Sequence, residues 1–526
     1  MRLLAACALV LGVALGWPSS VVASPGDEVR IDTGRIKGVV SGKVVAFKGI
    51  PFAAPPVGDL RWRPPQPAPS WTGVRSAAEY AADCMQLPFP SDAAPLGTKP
   101  AEDCLYANVW KPAASASEKL PVLVWIYGGG FVNGGSSPEV YSGAKFAERG
   151  VLFVSFNYRV GRFGFFAFPA LTNEAADGPV GNYGYMDQIA ALQWVQRNAA
   201  AFGGDPHNVT LFGESAGGRS VLALMASPMA KGLFQKAVIE SGGGRDSVLG
   251  ERPLKDTVGG GPPSGEAVGV AFAKKMGIAG TDAAALAALR ALPAEKIVNG
   301  LNMATMFDPT YGGPLLDGKV VAEPTEMAFR RGHQAKIPIM IGANSMDIGF
   351  SMATTMDQVL APFGGAADKA RAAYDPQGTN NVRAVGSVVA ADGMMVEPAR
   401  FVVRLLTAAG VPAFEYRFSY VAESMRKQWP GAPHATEIPF VFDTVAAKYG
   451  KDLTSPDEAT AQAANAYWVE FAKSGDPGSA GGPRWPRYDP AKDELLNFTA
   501  SGPVAQADAW KTRLDLTESL AAAGKH

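Results

Sequence analysis

Along the chain the spacing of hydrophobic and polar positions changes period several times, and each change predicts an element. From Glu28 to Val45, β-branched residues alternate with polar ones between glycine turns, which predicts a small antiparallel sheet at the start. The next stretch, "KGIPFAAPPVGDLRWRPPQPAPSWTG", holds too many prolines for regular structure and reads as an irregular segment hugging the surface. "LPVLVWIYGGGF" (120–131) and "VLFVSFNYRVG" (151–161) are continuous apolar runs, the pattern of parallel strands buried on both faces. Over 183–203, Ile189, Leu192, Val195 and Ala199 recur at helical spacing. "HNVTLFG" supplies a third strand and "GRSVLALMA" opens a helix directly after it.

Further on, 236–242 and 336–345 predict short buried strands and 411–420 a longer one. Helical patterns begin at Ser264 and Thr281, each behind a good N-cap residue, and another covers 459–475. Strands alternating with helices predict an α/β architecture around a mostly parallel sheet. "VGGGPPSG" (258–265) is the strong flexible candidate, joining this core to an insertion. No internal repeat is evident.

Composition narrows the class. The 526 residues are 47% hydrophobic and 18% charged, which suits a large core and excludes global disorder. Lys and Arg number 48 against 49 Asp and Glu, so no net field draws the chain to nucleic acid or an anionic membrane. One Arg, an apolar run from Leu3 to Leu15 and Val21-Val22-Ala23 form the three regions of a secretory signal, residues 1–23, cleaved after Ala23. That run is too short for a membrane span, and too little apolar sequence precedes Cys7 for a lipoprotein signal. Export to the periplasm or the exterior is the expectation. It leaves two cysteines, Cys84 and Cys104, which in an oxidising compartment most simply pair; the alternative is two buried thiols.

The candidate chemistry centres on Gly213-Glu214-Ser215-Ala216-Gly217, a Gly-x-Ser-x-Gly pattern with a strand before it and a helix after it. A nucleophile in a strained turn needs neighbours without bulk, and the helix behind it aims N–H groups at any oxyanion formed there. "IYGGGF" (126–131) ends a buried strand upstream and offers Gly129 and Gly130 N–H beside Ala216 N–H. Four histidines are available as the base. His526 is the last residue, His207 precedes Ser215 in a turn, and His333 sits in the polar loop "FRRGHQAKIP". His434, between a Pro/Gly loop and an apolar run, remains the best candidate.

The chain resembles the type-B carboxylesterase family, which includes cholinesterases and bacterial para-nitrobenzyl-type esterases. The matching segments are "KGIPFAAPPVGDLRW", "EDCLYANVW", "PVLVWIYGGGF", "FNYRVGRFGF", "GNYGYMDQIAALQWVQRNAAAFGGDPHNVTLFGESAGG" and "PHATEIPFVF", spread over most of the chain. The resemblance implies an α/β-hydrolase fold for residues 24–526 as one domain, with helical insertions around 246–312 and 350–400 over the active site. It supports a Cys84–Cys104 disulfide and implies that His434 is the catalytic base. The acid falls at Asp347, where the family usually has Glu in an Asp-Glu-Gly context; here Met346 and Ile348 flank it, and Asp317 or Asp308 is the alternative. Glu214, Ser241 and Glu437 would support the site, or else be structural polar groups.

The activity implied is that of a serine carboxylic-ester hydrolase on a small-molecule ester, with no cofactor and no metal. A non-catalytic binding module is the contrasting reading, against which Ser215, the glycine loop and His434 together argue. Phe131 and Val132 are expected to line the acyl side. The insertions would roof the pocket, where Met303, Met306, Met352, Met356, Met394 and Met395 could form an adaptable wall, although core filling is the expected role for most of them. Arg219 and Arg245 are either scaffold or partners for a substrate carboxylate, the latter pointing to a polycarboxylate mycotoxin-type ester.

Overall fold

A computed structural model describes residues 26–90, 94–114, 119–246, 250–256 and 261–524. The leader 1–23, residues 258–260 of the flexible candidate and His526 lie outside the described residues.

The first strands are β1 (Glu28–Ile31), β2 (Gly34–Lys37), β3 (Val39–Ser41), β4 (Val44–Pro51) and β5 (Val74–Ser76). Next come β6 (Tyr106–Pro112), β7 (Leu120–Ile126), β8 (Leu152–Phe156), β9 (Gly204–Glu214) and β10 (Lys236–Glu240). After the short pair β11 (Arg252–Pro253) and β12 (Leu315–Leu316), the chain adds β13 (Ile339–Asn344), β14 (Ala413–Phe418), β15 (Glu494–Thr499) and β16 (Gly502–Ala507). Eleven of these make one sheet in the order β16-β15-β14-β13-β10-β9-β7-β8-β6-β4-β3. From β8 through β15 every neighbouring pair is parallel, and the flanking β16, β6, β4 and β3 run antiparallel. This is the mostly parallel α/β sheet that the apolar runs predict.

The N-terminal segment departs from expectation in one respect. It does not stay in one small sheet. β1, β2 and β5 form a separate three-stranded sheet with one parallel pair, whereas β3 and β4 extend the edge of the large sheet. The switch comes at Gly38, where a Cβ would stand 2.5 Å from the Ala46 carbonyl oxygen and 2.8 Å from the Phe47 ring. Only a residue without a side chain lets the strand cross so close to β4, and local alternation cannot reveal that crossing.

Hydrophobic burial explains the parallel centre. β7, β8 and β10 are buried along almost their full length, and helices Tyr183–Asn198, Ala216–Ala226 and Ser455–Ser474 present buried faces. An aromatic knot of Trp125, Phe146, Phe153, Phe212 and Phe442 packs with ring centroids 4.7–6.2 Å apart. Residues 350–400 add helices with their own apolar cluster of Met356, Val359, Leu360, Phe363, Ala370, Tyr374 and Val385. Cys84 and Cys104 are disulfide-bonded. Among the described residues no helix is long and apolar enough to cross a membrane.

Candidate active site

The loops at the C-terminal ends of β7, β9, β10 and β13 bring the candidate residues together, as parallel α/β sheets do for their sites. β9 runs straight into Ser215, which adopts φ 57° and ψ −122°, and the helix Ala216–Ala226 starts at once. The flanking glycines follow from crowding. A Cβ on Gly213 would stand 2.6 Å from the Gly217 carbonyl carbon, and one on Gly217 would stand 2.1 Å from the Ile126 oxygen. The Ser215 N–H donates to the Glu240 carbonyl (2.9 Å), fixing the turn against the neighbouring strand. Strain of this kind persists only where the surroundings hold it.

The oxyanion candidates meet this elbow. Gly129 and Gly130 have φ 103° and 61°, a conformation that a side chain disfavours. Gly128 lies so close to the elbow that a Cβ there would stand 3.0 Å from the Ser215 Cβ. Among the described residues, no backbone acceptor takes the N–H of Gly129, Gly130 or Ala216.

His434 is reached from the other side. Asp347 Oδ1 lies 2.6 Å from His434 Nδ1. The same carboxylate accepts from Ser241 Oγ (2.7 Å), Asn344 N–H (2.9 Å) and Ile348 N–H (2.8 Å), which fixes its orientation. The strand end carrying Asp347 also holds the histidine loop. Met346 N–H donates to the Ala432 carbonyl (2.8 Å), and Asn344 Nδ2 donates to the Pro433 carbonyl (2.7 Å) and to Glu437. His434 Nε2 lies 3.0 Å from Glu214 Oε1.

The electrostatics follow from this enclosure. Burial works against the His434 imidazolium, yet Glu214, Asp347 and Glu437 outweigh it and raise its pKa well above the ordinary 6.5. Burial also opposes ionisation of Asp347, but His434 and the donors hold its carboxyl below the usual range. Glu437, buried, is pushed up to about 7 against the opposing pull of His434. Glu240, in register with Glu214 on the neighbouring strand, is raised well above 4.5 by burial, with Glu437 adding to it. The site therefore surrounds one base with several carboxylates of unlike proton affinity.

A pocket of about 180 Å³ joins these groups. Ser215, His434, Glu214, Gly128 and Gly129 line it together with Phe89, Ala94, Tyr141, Met303, Ala435 and Ile438.

Several expected residues stand elsewhere. Phe131 and Val132 are each only 1% exposed and do not form this wall. Phe131 turns inward at φ 61° and packs edge-on to Phe165 and Tyr185, because the core behind the glycine turn offers aromatic contacts. The Arg219 guanidinium is buried on Asp246 (2.7 Å) and Glu251 (3.1 Å), so its carboxylate partners are internal. Arg245 is held by Glu397 and Glu326 over the Phe401 ring. Of the methionines, Met303 reaches the pocket and Met306 sits beside Gly130. Met352 is exposed, and Met356 and Met395 fill separate apolar clusters. Asp308 binds Arg162 and Thr310, and Asp317 caps the backbone of 319–321; neither meets His434. His333 pairs with Glu323 on the surface. Phe89, Tyr141, Ile438 and Asn344 were not anticipated, and no local signal distinguishes them from ordinary core and loop residues.

Comparison with known proteins identifies the family. The model of the carboxylesterase family matches residues 25–376 and 365–514. The chain is 36% identical to a fumonisin B1 esterase of Sphingopyxis macrogoltabida, over 92% of this chain and 89% of that protein. It is 34% identical to the para-nitrobenzyl esterase of Bacillus subtilis, over 89% of this chain and 94% of that one. Rat carboxylesterase 1C is 32% identical, with 94% of each chain covered. Matched by the family model over nearly all its described length, the chain belongs to the carboxylesterase family and is a carboxylic-ester hydrolase.

Proposed function

We propose that ester hydrolysis proceeds through an acyl-enzyme on Ser215, with His434 as general base and Asp347 as its acid partner. The observation that carries this reading is the 2.6 Å contact of Asp347 with His434 Nδ1, His434 lining the same pocket as Ser215. With Nδ1–H donated to a carboxylate, the neutral ring carries its lone pair on Nε2. Nε2 takes the Ser215 proton as Oγ attacks the ester carbonyl, and the N–H groups of Gly129, Gly130 and Ala216 receive the oxyanion. The C–O bond to the alcohol breaks as His434 returns the proton to the leaving oxygen. Water, deprotonated by the same nitrogen, then releases the acid and restores Ser215. Each oxyanion donor is worth about 100–1000-fold in rate.

Glu214, Ser241 and Glu437 are supporting groups. Ser241 orients Asp347, Glu437 is tied to the histidine loop through Asn344, and Glu214 sets the charge at Nε2. The disulfide supports action outside the cytosol after removal of residues 1–23, since such bonds persist in oxidising compartments.

Phosphonylation by a p-nitrophenyl phosphonate, read by intact mass and peptide mapping, tests the mechanism. One adduct on Ser215 is expected, with none in Ser215→Ala and with esterase activity lost in step. Full activity in Ser215→Ala would refute the assignment.

A second reading, a polycarboxylate mycotoxin-type ester, is favoured by the name of the fumonisin B1 esterase relative. Against it, neither Lys nor Arg is among the described residues lining the pocket, and Arg219 and Arg245 are engaged internally. A short neutral ester is therefore the substrate the pocket suits best.

A further inference from the structure

Three residues beyond Gly130, in "GGGFVNGGSS", stands Asn133, which is wholly buried. A buried carboxamide must place two donors and an acceptor, and all of them are engaged here. Its Nδ2 donates to Gln86 Oε1 (3.0 Å) and to the Leu87 carbonyl (2.7 Å). Its Oδ1 accepts the Met303 N–H (2.8 Å). A backbone N–H can only donate and a carbonyl can only accept, so these partners fix which end of the amide is which. Gln86 is fixed in the same way: its Oε1 also accepts the Gly134 N–H (2.9 Å), and its Nε2 donates to the Gly134 carbonyl (2.6 Å) and the Cys84 carbonyl (2.9 Å).

Three chain segments meet at this one residue. The glycine turn is bound through the backbone, since Asn133 N–H donates to the Gly129 carbonyl (2.9 Å). The Asn133 carbonyl oxygen lies 2.4 Å from where a Cβ on Gly129 would stand. The disulfide loop is bound through Gln86 and Leu87, two residues before Phe89. The 246–312 insertion is bound through Met303, whose sulfur lies 2.8 Å from a Cβ position on Gly130. Phe89 and Met303 are both walls of the pocket that contains Ser215. Asp83 ties the same two regions together farther out, accepting from Ser136 N–H (3.1 Å) and Ser137 N–H (3.3 Å).

We propose that Asn133 is a positioning residue that sets the N–H directions of Gly129 and Gly130 and, through the same amide, seats Phe89 and Met303 over Ser215. The inference rests on reading those glycines as the oxyanion donors. Hydrogen bonds weaken steeply as their angle closes, whereas apolar contacts tolerate small shifts, so small rotations of a glycine turn cost more transition-state stabilisation than substrate binding. Removing the carboxamide takes the side-chain partner from the Met303 N–H and the Leu87 carbonyl and leaves Gln86 Oε1 with the Gly134 N–H alone, which drives the turn to shift or admit water. Aspartate is no substitute: it keeps an acceptor toward Met303 but sets a second oxygen against Gln86 Oε1 and the Leu87 carbonyl.

The test is hydrolysis of p-nitrophenyl acetate by Asn133→Ala, Asn133→Asp and Gln86→Ala, with kcat expressed per serine titrated by a stoichiometric phosphonate. Both Asn133 variants are expected to lose about 10–100-fold in kcat per titrated serine with KM within about threefold, the split of an interaction made only in the transition state. Affinity for a trifluoromethyl ketone, a transition-state mimic, should fall in parallel. Gln86→Ala should show part of the same loss and add little to Asn133→Ala, because the two act as one unit; it carries the same readout should an Asn133 variant fail to fold. A kcat per titrated serine within twofold of wild type in every soluble variant would overturn the proposal, since a purely structural role lowers only the number of titratable serines. Absence of titration in the wild type would instead overturn the acyl-enzyme reading, and this proposal with it.

Discussion

The Nε2 of His434 lies 3.0 Å from Oε1 of Glu214, so the carboxylate beside Ser215 also faces the nitrogen proposed to take the Ser215 proton. Burial disfavours the imidazolium, and Glu214, Asp347 and Glu437 favour it more strongly, leaving the pKa above 6.5. A general base acts only when unprotonated. The rate kcat/KM must therefore fall as pH drops through this raised value, with its acid limb above 6.5. Glu214→Gln removes one negative charge, lowers the His434 pKa and should move the limb toward acid by about one unit. The profile for p-nitrophenyl acetate, corrected for spontaneous hydrolysis, reads this directly; an unmoved limb would exclude Glu214 as the group that sets it.

Asp347 offers a sharper test of orientation. Its Oδ1 takes His434 and the Ile348 N–H, and its Oδ2 takes Ser241 and the Asn344 N–H. Every neighbour is a donor, so the amide of Asp347→Asn must turn an NH₂ toward one of them. The ring then loses its anionic partner and favours the wrong tautomer. A fall in kcat of about 1000–10,000-fold is expected with near-normal substrate binding. Rescue of Asp347→Asn by Asp317 or Asp308 is not expected, because both are committed elsewhere; a loss under tenfold would show that Asp347 is not the acid.

Some of this was legible in the chain and some was not, for a physical reason. Gly213 and Gly217 could be read because backbone approaches within 3 Å admit no side chain, so the geometry is written as residue identity. His434 could be singled out because histidines are few, and the folded chain brings it into the pocket that Ser215 lines. Phe131 misled because its position after the glycines was visible, while the positive φ that turns it into the core was not. The pocket wall is drawn from Phe89, Tyr141, Met303 and Ile438, which come from four distant segments and share no local pattern. Asn133 is hidden in the same way. Its partners lie 47 and 170 residues away, so only the folded chain shows what its amide joins.

Glu415 ties the sheet to pH. It lies on β14 and is 2% exposed; burial, with Asp508 adding and Arg417 opposing, pushes its carboxyl up to about 8. A folded pKa above the unfolded 4.5 means that its stabilisation is complete below about 4.5 and is lost as pH rises through about 8. Glu415→Gln removes that loss. The gap in urea midpoint between pH 5 and pH 8.5 should therefore shrink in the variant, by on the order of 1–4 kcal/mol in unfolding free energy. An equal gap in both proteins would mean that Glu415 ionises freely in the sheet.

The pocket's charge decides between the two substrate readings. Its other described walls are apolar or weakly polar around His434, the one carboxylate among its described lining residues is Glu214, and its volume is about 180 Å³. With His434 neutral, as a base must be, an anionic acyl chain entering it meets Glu214, and among the described lining residues no Lys or Arg offsets the repulsion. Two charges about 6 Å apart at an effective dielectric near 20 differ from a neutral pair by about 3 kcal/mol, less after screening. The matched pair p-nitrophenyl butyrate and p-nitrophenyl hemisuccinate, alike in length, isolates that term. Butyrate should be favoured about 10–100-fold in kcat/KM, and Glu214→Gln should narrow the ratio even as it changes the pH limb. Met303→Ala should leave the ratio unchanged but raise the rate on octanoate relative to acetate several-fold, because it removes wall rather than charge. Equal rates on the two acyl groups would mean that a cation reaches the bound substrate from outside this wall, and would favour the polycarboxylate ester over the neutral one.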